Sequence, residues 1–350
     1  MNFHEHSFPR SFNSATDVRL GCKVIQESFM KLREEVSKSV IGHQRVVDIT
    51  LVSIFAGGHV LLEGAPGLGK TLLVRTLGDV LELSTSRIQC TADLMPADIV
   101  GTTVVDVDER THARSFNFRQ GPVFHNLILV DEINRATPKC QSALLESMQE
   151  HSVSLDGKTY RLPEPFFVLA TQNPIEQEGT YPLPEAQLDR FLLKIDVGYS
   201  SREDLNLILE ATTSSENQQP STVLNKEFLL QAQSFLKGVC IASHVQDYVT
   251  RLVLAMQPYG QFAPSWVPDL IRTGASPRAA QAIVACAKVA AVVDGRYAVS
   301  HKDVAAVAVP ALQHRIVRTF EAEAGGIESG AIIQRIINST PAYVSGDRDV

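Results

Sequence analysis

The sequence has few cysteines, and none of them lie close together. Five cysteines are scattered between positions 22 and 286 of a 350-residue chain. Disulfide frameworks use an even number of cysteines, and metal or redox sites use closely spaced pairs. The ten histidines also lack the spacing of metal ligands on a helix. The pattern predicts reduced cytosolic thiols and histidines that are not metal ligands.

The chain also lacks an excess of positive charge and a long uninterrupted apolar run. Its formal net charge is −7, whereas proteins that act mainly on nucleic acid need a concentrated basic surface. The most apolar long window, residues 46–62, is interrupted by Asp48 and His59 and does not suit a membrane span. The N-terminus lacks the pattern of a signal peptide. These absences predict a cytoplasmic protein with no membrane span and no general affinity for nucleic acid.

What is present falls into two regions of different periodicity. Between residues 38 and 197, short apolar runs alternate with helical patterns, which is typical of a parallel sheet covered on both faces. The predicted strands are 59–63, 87–91, 127–130, 166–171 and 192–197. Beyond residue 198 the pattern is helical. The predicted helices are 203–211, 226–236, 245–256, 278–293 and 302–315.

The sequence therefore predicts an α/β domain with a five-stranded parallel sheet, followed by a smaller all-α domain. The α/β domain would span residues 38–197, with hairpin inserts at about 101–118 and 151–163, the second turning at Asp156-Gly157. Residues 1–37 would form an N-terminal extension with a helical stretch from about residue 23. The all-α domain would span residues 198–340, and residues 341–350 would form a tail.

One segment between a predicted strand and a predicted helix has the composition of a phosphate-binding loop. It matches Gly-x-x-x-x-Gly-Lys-Ser/Thr at every fixed position, and it consists of Gly64, Ala65, Pro66, Gly67, Leu68, Gly69, Lys70 and Thr71. Its backbone N–H groups and the following helix N-terminus would bind phosphates. Lys70 would contact the β and γ phosphates and Thr71 a magnesium ion. Leu72, which follows, is included among the nucleotide-binding residues.

Two acidic residues follow the third predicted strand, where open α/β sheets place their ligands. Asp131 is predicted to hold magnesium through its hydration shell, and Glu132 to polarise the attacking water. Asn173 ends the next predicted strand and could orient that water. The base is predicted to be adenine, because the only approach to the guanine motif Asn-Lys-x-Asp, at 225–228, fails at its last position.

These motifs, with their surroundings, resemble the MoxR family of AAA+ ATPases. The resemblance is carried by Gly121-Pro122-Val123-Phe124, by residues 131–135 and 141–146, and by the long segment 170–191, and it extends over about residues 40–315. It implies a P-loop core with a helical lid, and a homo-oligomeric ring, usually a hexamer, that holds ATP between subunits. Such relatives work with proteins that contain a von Willebrand factor A domain.

The resemblance also assigns residues beyond the phosphate loop. Ile41 and Gly42 match the segment that packs on adenine, Arg190 matches the arginine that reaches a neighbour's γ-phosphate, and Arg278 matches the lid arginine that reaches ATP. Arg135 is a second candidate for the subunit boundary. Independently, a cation at Arg278 opposes the dipole of a helix that begins at Pro277, unless an anion lies nearby. A solvated surface arginine is the alternative at Arg278, and an ion pair within the subunit is the alternative at Arg190.

The chain departs from the family pattern in the lid, at Gln257-Pro258 and in the unusual segment 259–268. In relatives the two hairpin inserts face the pore of the ring and its substrate, although they could also be surface decoration. The leading functional hypothesis is an ATPase chaperone that remodels a partner protein or complex. One alternative is a nucleic-acid motor, since Arg110, His112, Arg114 and Arg119 lie near the first insert. The other is a scaffold that binds ATP without useful turnover.

Overall fold

The computed structural model describes residues 14–64, 69–107, 112, 114–173, 179–198, 201–213 and 220–342. The helices in these ranges are α1 (Ala15–Ser39), α2 (Gln44–Ala56), α3 (Lys70–Leu81), α4 (Pro96–Val100), α5 (Pro138–Glu150), α6 (Glu185–Leu188), α7 (Arg202–Thr213), α8 (Lys226–Lys237), α9 (Ser243–Leu254), α10 (Val267–Leu270), α11 (Pro277–Val293), α12 (His301–Leu312), α13 (Phe320–Ala324) and α14 (Ser329–Ser339). The strands are β1 (Val60–Gly64), β2 (Thr85–Gln89), β3 (Gly101–Val107), β4 (Arg114–Gln120), β5 (Leu127–Asp131), β6 (Ser152–Leu155), β7 (Lys158–Arg161), β8 (Phe167–Gln172), β9 (Leu193–Val197), β10 (Cys240–Ile241), β11 (Ile271–Thr273), β12 (Ala298–Val299) and β13 (Val317–Arg318).

A five-stranded parallel sheet forms the centre of the α/β region, in the order β2-β5-β8-β1-β9. The five predicted strands are confirmed, with ends shifted by at most two residues. Because all five strands run the same way, their carboxyl ends meet at one edge of the sheet. Gly64, Asp131 and Gln172 end three of these strands and therefore lie along that edge.

The two faces of the sheet bury different sets of helices, because side chains alternate along each strand. In β1, Val60 and Leu62 belong to a core that also contains apolar residues of α1, α2 and α3. Leu61 points into a second core with residues of α5. Helices α8, α9, α11 and α12 of the lid contribute to the first core. The lid is thus joined to the α/β region by continuous apolar packing.

Helix α1 begins earlier than the sequence predicts, at Ala15 rather than near residue 23. Ser14 and Asp17 form a capping box, which satisfies free N–H groups at this end. The helix lies within the segment predicted as an extension, yet Ile25, Phe29 and further apolar residues on one side are buried in the first core. Its polar exposed face dominates the local composition and hides this apolar stripe.

The lid is helical as predicted, with additions that have no clear sequence pattern. Strands β10 and β12 pair in parallel, and β11 pairs antiparallel with β13. Each has only two or three residues, so no alternation can develop. Helices α10, α13 and α14 were not predicted either. In the unusual segment 259–268, Trp266 packs beneath the Arg335 guanidinium, 4.0 Å from the ring centroid.

Both predicted hairpins are present, and they contact one another. Strands β3 and β4 form the first, and β6 and β7 form the second, with Asp156 and Gly157 both at positive φ in its turn. The Phe118 ring stacks on Tyr160 at 4.3 Å between centroids, and Thr103 donates to Asp156 at 2.7 Å. Most of the tip of the first hairpin lies outside the described residues. No helix in the described part of the chain is long and apolar enough to cross a membrane.

Candidate nucleotide-binding site

The described part of the predicted phosphate loop consists of its first residue, Gly64, and its last three, Gly69, Lys70 and Thr71. Gly69, at φ 68°, caps α3, and Lys70 is the first residue of that helix. The Lys70 ammonium donates to the Gly64 carbonyl at 3.2 Å and so spans the loop. Thr71 and Leu72 follow in the first turn and are exposed. The predicted residues Ala65, Pro66, Gly67 and Leu68 lie outside the described residues.

Gly64 must be glycine because neighbouring backbone leaves no room for a side chain. A Cβ atom there would lie 2.5 Å from the carbonyl oxygen of Val197 on β9. This close approach brings the end of β1 against the last residue of the edge strand. The start of the phosphate loop is therefore fixed by the sheet itself.

Lys70 lies within electrostatic reach of the two acids at the end of β5, the predicted magnesium residue Asp131 and the predicted catalytic residue Glu132. Burial lowers the pKa of its ammonium, while the negative charges of Asp131 and Glu132 act in the opposite direction. The first turn of α3 contains no acidic residue, so its free N–H groups favour an anion. Together these groups form a positive site facing two carboxylates.

Thr171 fixes the two carboxylates at the end of β5. Its hydroxyl donates to Asp131 Oδ1 at 2.7 Å and accepts the N–H of Glu132 at 2.9 Å. Glu132 has left-handed backbone, at φ 57°, a conformation uncommon for residues other than glycine. The chain therefore turns sharply after Asp131, and the two side chains leave the strand in different directions.

Two side chains of the edge strand β2 reach the same carboxylates. Arg87 Nη2 donates to Asp131 Oδ2 at 2.7 Å, and Gln89 Nε2 lies 3.4 Å from Glu132 Oε2. Arg87 also donates to Gln89 Oε1 at 2.6 Å. Sequence reasoning missed both residues, although their spacing of two along a strand places them on one face.

Asn173 lies just beyond β8 and is buried, with 6% of its surface exposed. Its carbonyl accepts from Asn134 Nδ2 at 3.4 Å. Since β8 is hydrogen-bonded to both β5 and β1, Asn173 follows the strand that separates Asp131 from the phosphate loop. That its side chain orients the attacking water stays a prediction.

A narrow cavity adjoins the predicted adenine segment. It is lined by Val40, His43, Val46, Val47, Leu62, Lys70, Leu73 and Val197. Ile41 and Gly42 lie between two of these residues, and Gly42 adopts φ 73°. At about 10 Å³ the cavity has room for no more than about one water, so it lies beside the predicted adenine segment without forming a pocket for a base in this structure.

At the opposite side of the sheet, the lid meets the segment that carries Arg190. Asp189 accepts from Arg315 Nε at 2.7 Å and from the Ser276 hydroxyl at 3.0 Å. The nearest atoms of the Arg278 guanidinium and Asp189 are 3.6 Å apart. The Arg190 side chain makes no ion pair with any described residue. Arg278 therefore contacts the residue that directly precedes Arg190 in the chain.

Comparison with known proteins agrees with this geometry. Residues 59–193 match the ATPase family associated with various cellular activities (AAA), and residues 265–336 match the AAA lid domain. The chain is 43% identical over 305 residues to Chaperone MoxR1 of Mycobacterium tuberculosis, covering 87% of this chain and 80% of that protein. The chain belongs to the MoxR family of AAA+ ATPases.

Other members are similar over comparable lengths. Protein MoxR of Methylorubrum extorquens is 31% identical, over 83% of this chain and 88% of its own. A crystal structure from Cytophaga hutchinsonii superposes with a TM-score of 0.84 at 38% identity, covering 92% of this chain and 96% of that one. The MoxR resemblance inferred from motifs and the predicted fold of core and lid are both confirmed.

In this MoxR-family chain, Arg135 is engaged within its own subunit. Its guanidinium lies 3.2 Å from Glu132 Oε2, which gives a local role to the second candidate for the subunit boundary. Sequence reasoning also missed the roles of Thr171, Asp189 and Arg315. Thr171 lies at the end of a predicted apolar strand, 166–171, whose pattern shows no role for its hydroxyl. No local pattern links Arg315 to a partner 126 positions earlier.

Proposed function

We propose that this MoxR-family chain binds Mg-ATP at the carboxyl edge of its sheet and hydrolyses it. The observation that best supports this is that the phosphate loop, with Lys70 at the head of α3, and the adjoining Asp131 and Glu132 all follow strands that end at one edge of the parallel sheet. Phosphoryl transfer needs positioning and charge neutralisation more than covalent chemistry. A scaffold that only binds ATP would have no use for an acid placed to activate water.

The residues present fit a magnesium ion. Magnesium prefers hard oxygen donors and keeps several waters, and the Thr71 hydroxyl and Asp131 carboxylate offer such donors. Asp131 keeps 18% of its side chain exposed, although both of its oxygens have partners. When bound, the ion would neutralise charge on the phosphates. Residues 64–71, Lys70 and the N-terminus of α3 would bind the triphosphate itself.

Glu132 and Asn173 are the residues proposed to act on water. The hydrogen bond from the Glu132 N–H to Thr171 holds the backbone of the acid, so its carboxylate is presented from a fixed point. Glu132 would accept a hydrogen bond from the attacking water, and the Asn173 amide would orient it. Arg135 Nη1 lies 3.2 Å from Glu132 Oε2 and would help hold that carboxylate in place.

Arg190 and Arg278 are proposed to act on the ATP of a neighbouring copy in a homo-oligomeric ring, which the family resemblance suggests is hexameric. Both lie beside Asp189, at the junction of the lid with the edge strand β9. The lid arginine would thus act from the same side as Arg190.

We further propose that hydrolysis drives remodelling or maturation of a partner protein. The name of the M. tuberculosis relative, a chaperone, supports this role, as does the joined pair of hairpins. A protein with a von Willebrand factor A domain is the proposed partner. Pull-down with such a protein encoded beside this gene should show association that depends on nucleotide. Equal recovery with ATP, with ADP and without nucleotide would contradict it.

The described part of the first hairpin gives no support to a nucleic-acid motor. Of the basic residues behind that alternative, Arg110 lies outside the described residues, and Arg114 and Arg119, five residues apart on β4, point to opposite faces of the hairpin. DNA should therefore neither bind in a salt-dependent way nor stimulate hydrolysis.

The reaction is tested most simply by Glu132→Gln. The amide keeps the size of the side chain but cannot act as a base. Phosphate release should fall at least about 100-fold, while binding of a fluorescent ATP analogue persists. Lys70→Ala should weaken that binding itself. Unchanged phosphate release in Glu132→Gln would refute the assignment of the base.

A further inference from the structure

The edge strand β2 places a permanent positive charge on the carboxylate proposed to serve magnesium. Arg87 Nη2 lies 2.7 Å from Asp131 Oδ2, and the Thr171 hydroxyl occupies the other oxygen at 2.7 Å. Both oxygens of Asp131 therefore have protein donors. A guanidinium remains charged at every physiological pH, so Arg87 competes directly with any other cation for this carboxylate.

The exposure of Arg87 and Asp131 indicates an ion pair that can open, so that another cation can replace Arg87. Arg87 keeps 51% of its side chain exposed, whereas Asp131 keeps 18%. An exposed arginine loses little when it leaves a carboxylate, because water replaces the contact and the side chain regains its freedom. The carboxylate, by contrast, is held by Thr171 and cannot follow. Arg87 is thus the mobile member of the pair.

Arg87 is also connected to the other catalytic acid. The same Nη2 atom donates to Gln89 Oε1 at 2.6 Å, and Gln89 Nε2 reaches towards Glu132 Oε2 at 3.4 Å. Arg87 and Gln89 point the same way because they are two residues apart on one strand. Displacement of Arg87 from Asp131 would therefore also release one partner of Gln89.

We propose that Arg87 is a positioning residue that occupies Asp131 in the absence of magnesium and gives up this carboxylate when Mg-nucleotide binds. This inference rests on the proposed function, since it assumes that Asp131 serves the magnesium site. The inference predicts opposite effects of Arg87 on two affinities, that for magnesium and that for metal-free nucleotide. Arg87 weakens the binding of magnesium, and it strengthens the binding of metal-free nucleotide by neutralising a carboxylate close to the phosphates.

The opposite signs separate this role from a structural one. A residue that merely supports the fold of the site would, when replaced, weaken nucleotide binding with and without metal by similar factors. A cation that exchanges with magnesium changes the ratio of the two affinities. The ratio of the dissociation constant in EDTA to that in magnesium is therefore the quantity to measure.

The experiment uses the full chain and a fluorescent ADP analogue, titrated in excess Mg²⁺ and in EDTA. In Arg87→Gln the ratio should rise about threefold to tenfold, between the small effect of an exposed ion pair and the larger effect of a charged hydrogen bond. The magnesium concentration for half-maximal binding should fall. Arg87→Lys keeps the charge and should stay near the wild-type ratio. Arg87→Met, which keeps the aliphatic stem, should behave as Arg87→Gln, so the outcome does not depend on one variant folding.

A matched control is Arg33→Gln. Arg33 forms an ion pair with Asp48 at 2.8 Å, with 38% and 34% of the two side chains exposed, but it does not touch the carboxylates. Its replacement should leave the ratio unchanged. A ratio that stays constant or falls in both Arg87→Gln and Arg87→Met would overturn the inference.

Failure of the inference can be told apart from failure of the proposed function. If the wild-type chain retained no nucleotide, the ATP site itself would be refuted. If it bound nucleotide with a preference for magnesium, and Arg87 variants kept the wild-type ratio, only the exchange would be refuted. Asp131→Asn supplies the final comparison, since Arg87→Gln should add no further change to the ratio in that background.

Discussion

Two aspartates at opposite sides of the same sheet are equally buried but differently paired. The Asp131 side chain is 18% exposed and the Asp189 side chain 16%. Each has an arginine at 2.7 Å, but that of Asp131 is 51% exposed and that of Asp189 only 3%. Burial of the cation, not of the carboxylate, therefore distinguishes a site suited to ligand exchange from a fixed joint.

The Asp189 joint holds the lid against the segment that presents Arg190. Besides Asp189, the Arg315 guanidinium donates to the carbonyls of Leu192 at 3.0 Å and Phe191 at 2.8 Å. It also donates to the carbonyl of Ala311, in the last turn of α12. Separating a buried arginine from this many acceptors costs a large amount of free energy. Any movement of the lid should therefore move Arg190 with it.

The largest effect, on the rate of phosphate release, is expected when the side chain of Arg190, next to Asp189, is removed. Arg190→Ala should slow phosphate release by about 10³ to 10⁵, which corresponds to roughly 4 to 7 kcal/mol of barrier. Nucleotide binding in the same subunit should persist, because the phosphate loop is untouched. Steady-state phosphate release and a binding titration measure the two quantities. A loss below about fivefold would indicate an ordinary surface arginine.

The next largest effect is on the free energy of unfolding, which allows Arg315 and Arg87 to be compared directly. Arg315→Leu leaves Asp189 buried without its main partner and should lower the free energy of unfolding by about 3 to 5 kcal/mol. Arg87→Gln, at the exposed pair, should lower it by only about 0 to 1 kcal/mol. Chemical denaturation followed by circular dichroism measures both. Equal losses would show that cation burial does not separate the two sites.

The smallest effect concerns pH at the lid joint. Burial, with a further contribution from Arg315, holds the pKa of His314 well below its usual 6.5, and the ring contacts the Phe191 carbonyl at 3.0 Å. Below pH 6.5 the unfolded chain takes up a proton that the folded chain refuses, so stability falls as pH falls. The slope approaches about 1.4 kcal/mol per pH unit for one group. Well above pH 6.5 His314 is neutral in both the folded and the unfolded chain, so its contribution to the free energy of unfolding no longer changes with pH.

His59, in the sheet core, acts with the same sign, because burial lowers its pKa to about 4. Denaturation curves of the wild type and His314→Leu between pH 7 and 5 isolate the contribution of the lid joint. The variant should lose less stability over this range. Parallel curves would contradict the role of His314.

The parts of the molecule that the sequence predicted are those in which pattern and contact are local. Strands β1, β5 and β8 are buried on both faces, so their apolar runs are unambiguous, and the phosphate loop follows one of them directly. The turn of the second hairpin is likewise predicted by two adjacent residues, Asp156 and Gly157. Helix α1 was only partly predicted, because its polar face hides a narrow apolar stripe.

The roles that were missed depend on contacts between residues far apart in the chain. Arg87 meets Asp131 across 44 positions, and Arg315 meets Asp189 across 126. Neither arginine lies in a motif, and each has a meaning only once sheet order and lid position are known. The assignment of Arg190 came from resemblance alone, since one subunit contains no neighbour's phosphate, whereas that of Arg278 had further support from its place at the N-terminus of a helix.

The central claim, that ATP is split by groups from two adjoining copies, is tested most directly by mixing two inactive variants. Glu132→Gln retains Arg190, and Arg190→Ala retains Glu132. When the two are mixed and allowed to reassemble, some boundaries combine an intact Glu132 with an intact Arg190, so phosphate release should reappear at a substantial fraction of the wild-type rate. If exchange of subunits is verified and activity stays at the level of the separate variants, Arg190 does not act across the boundary.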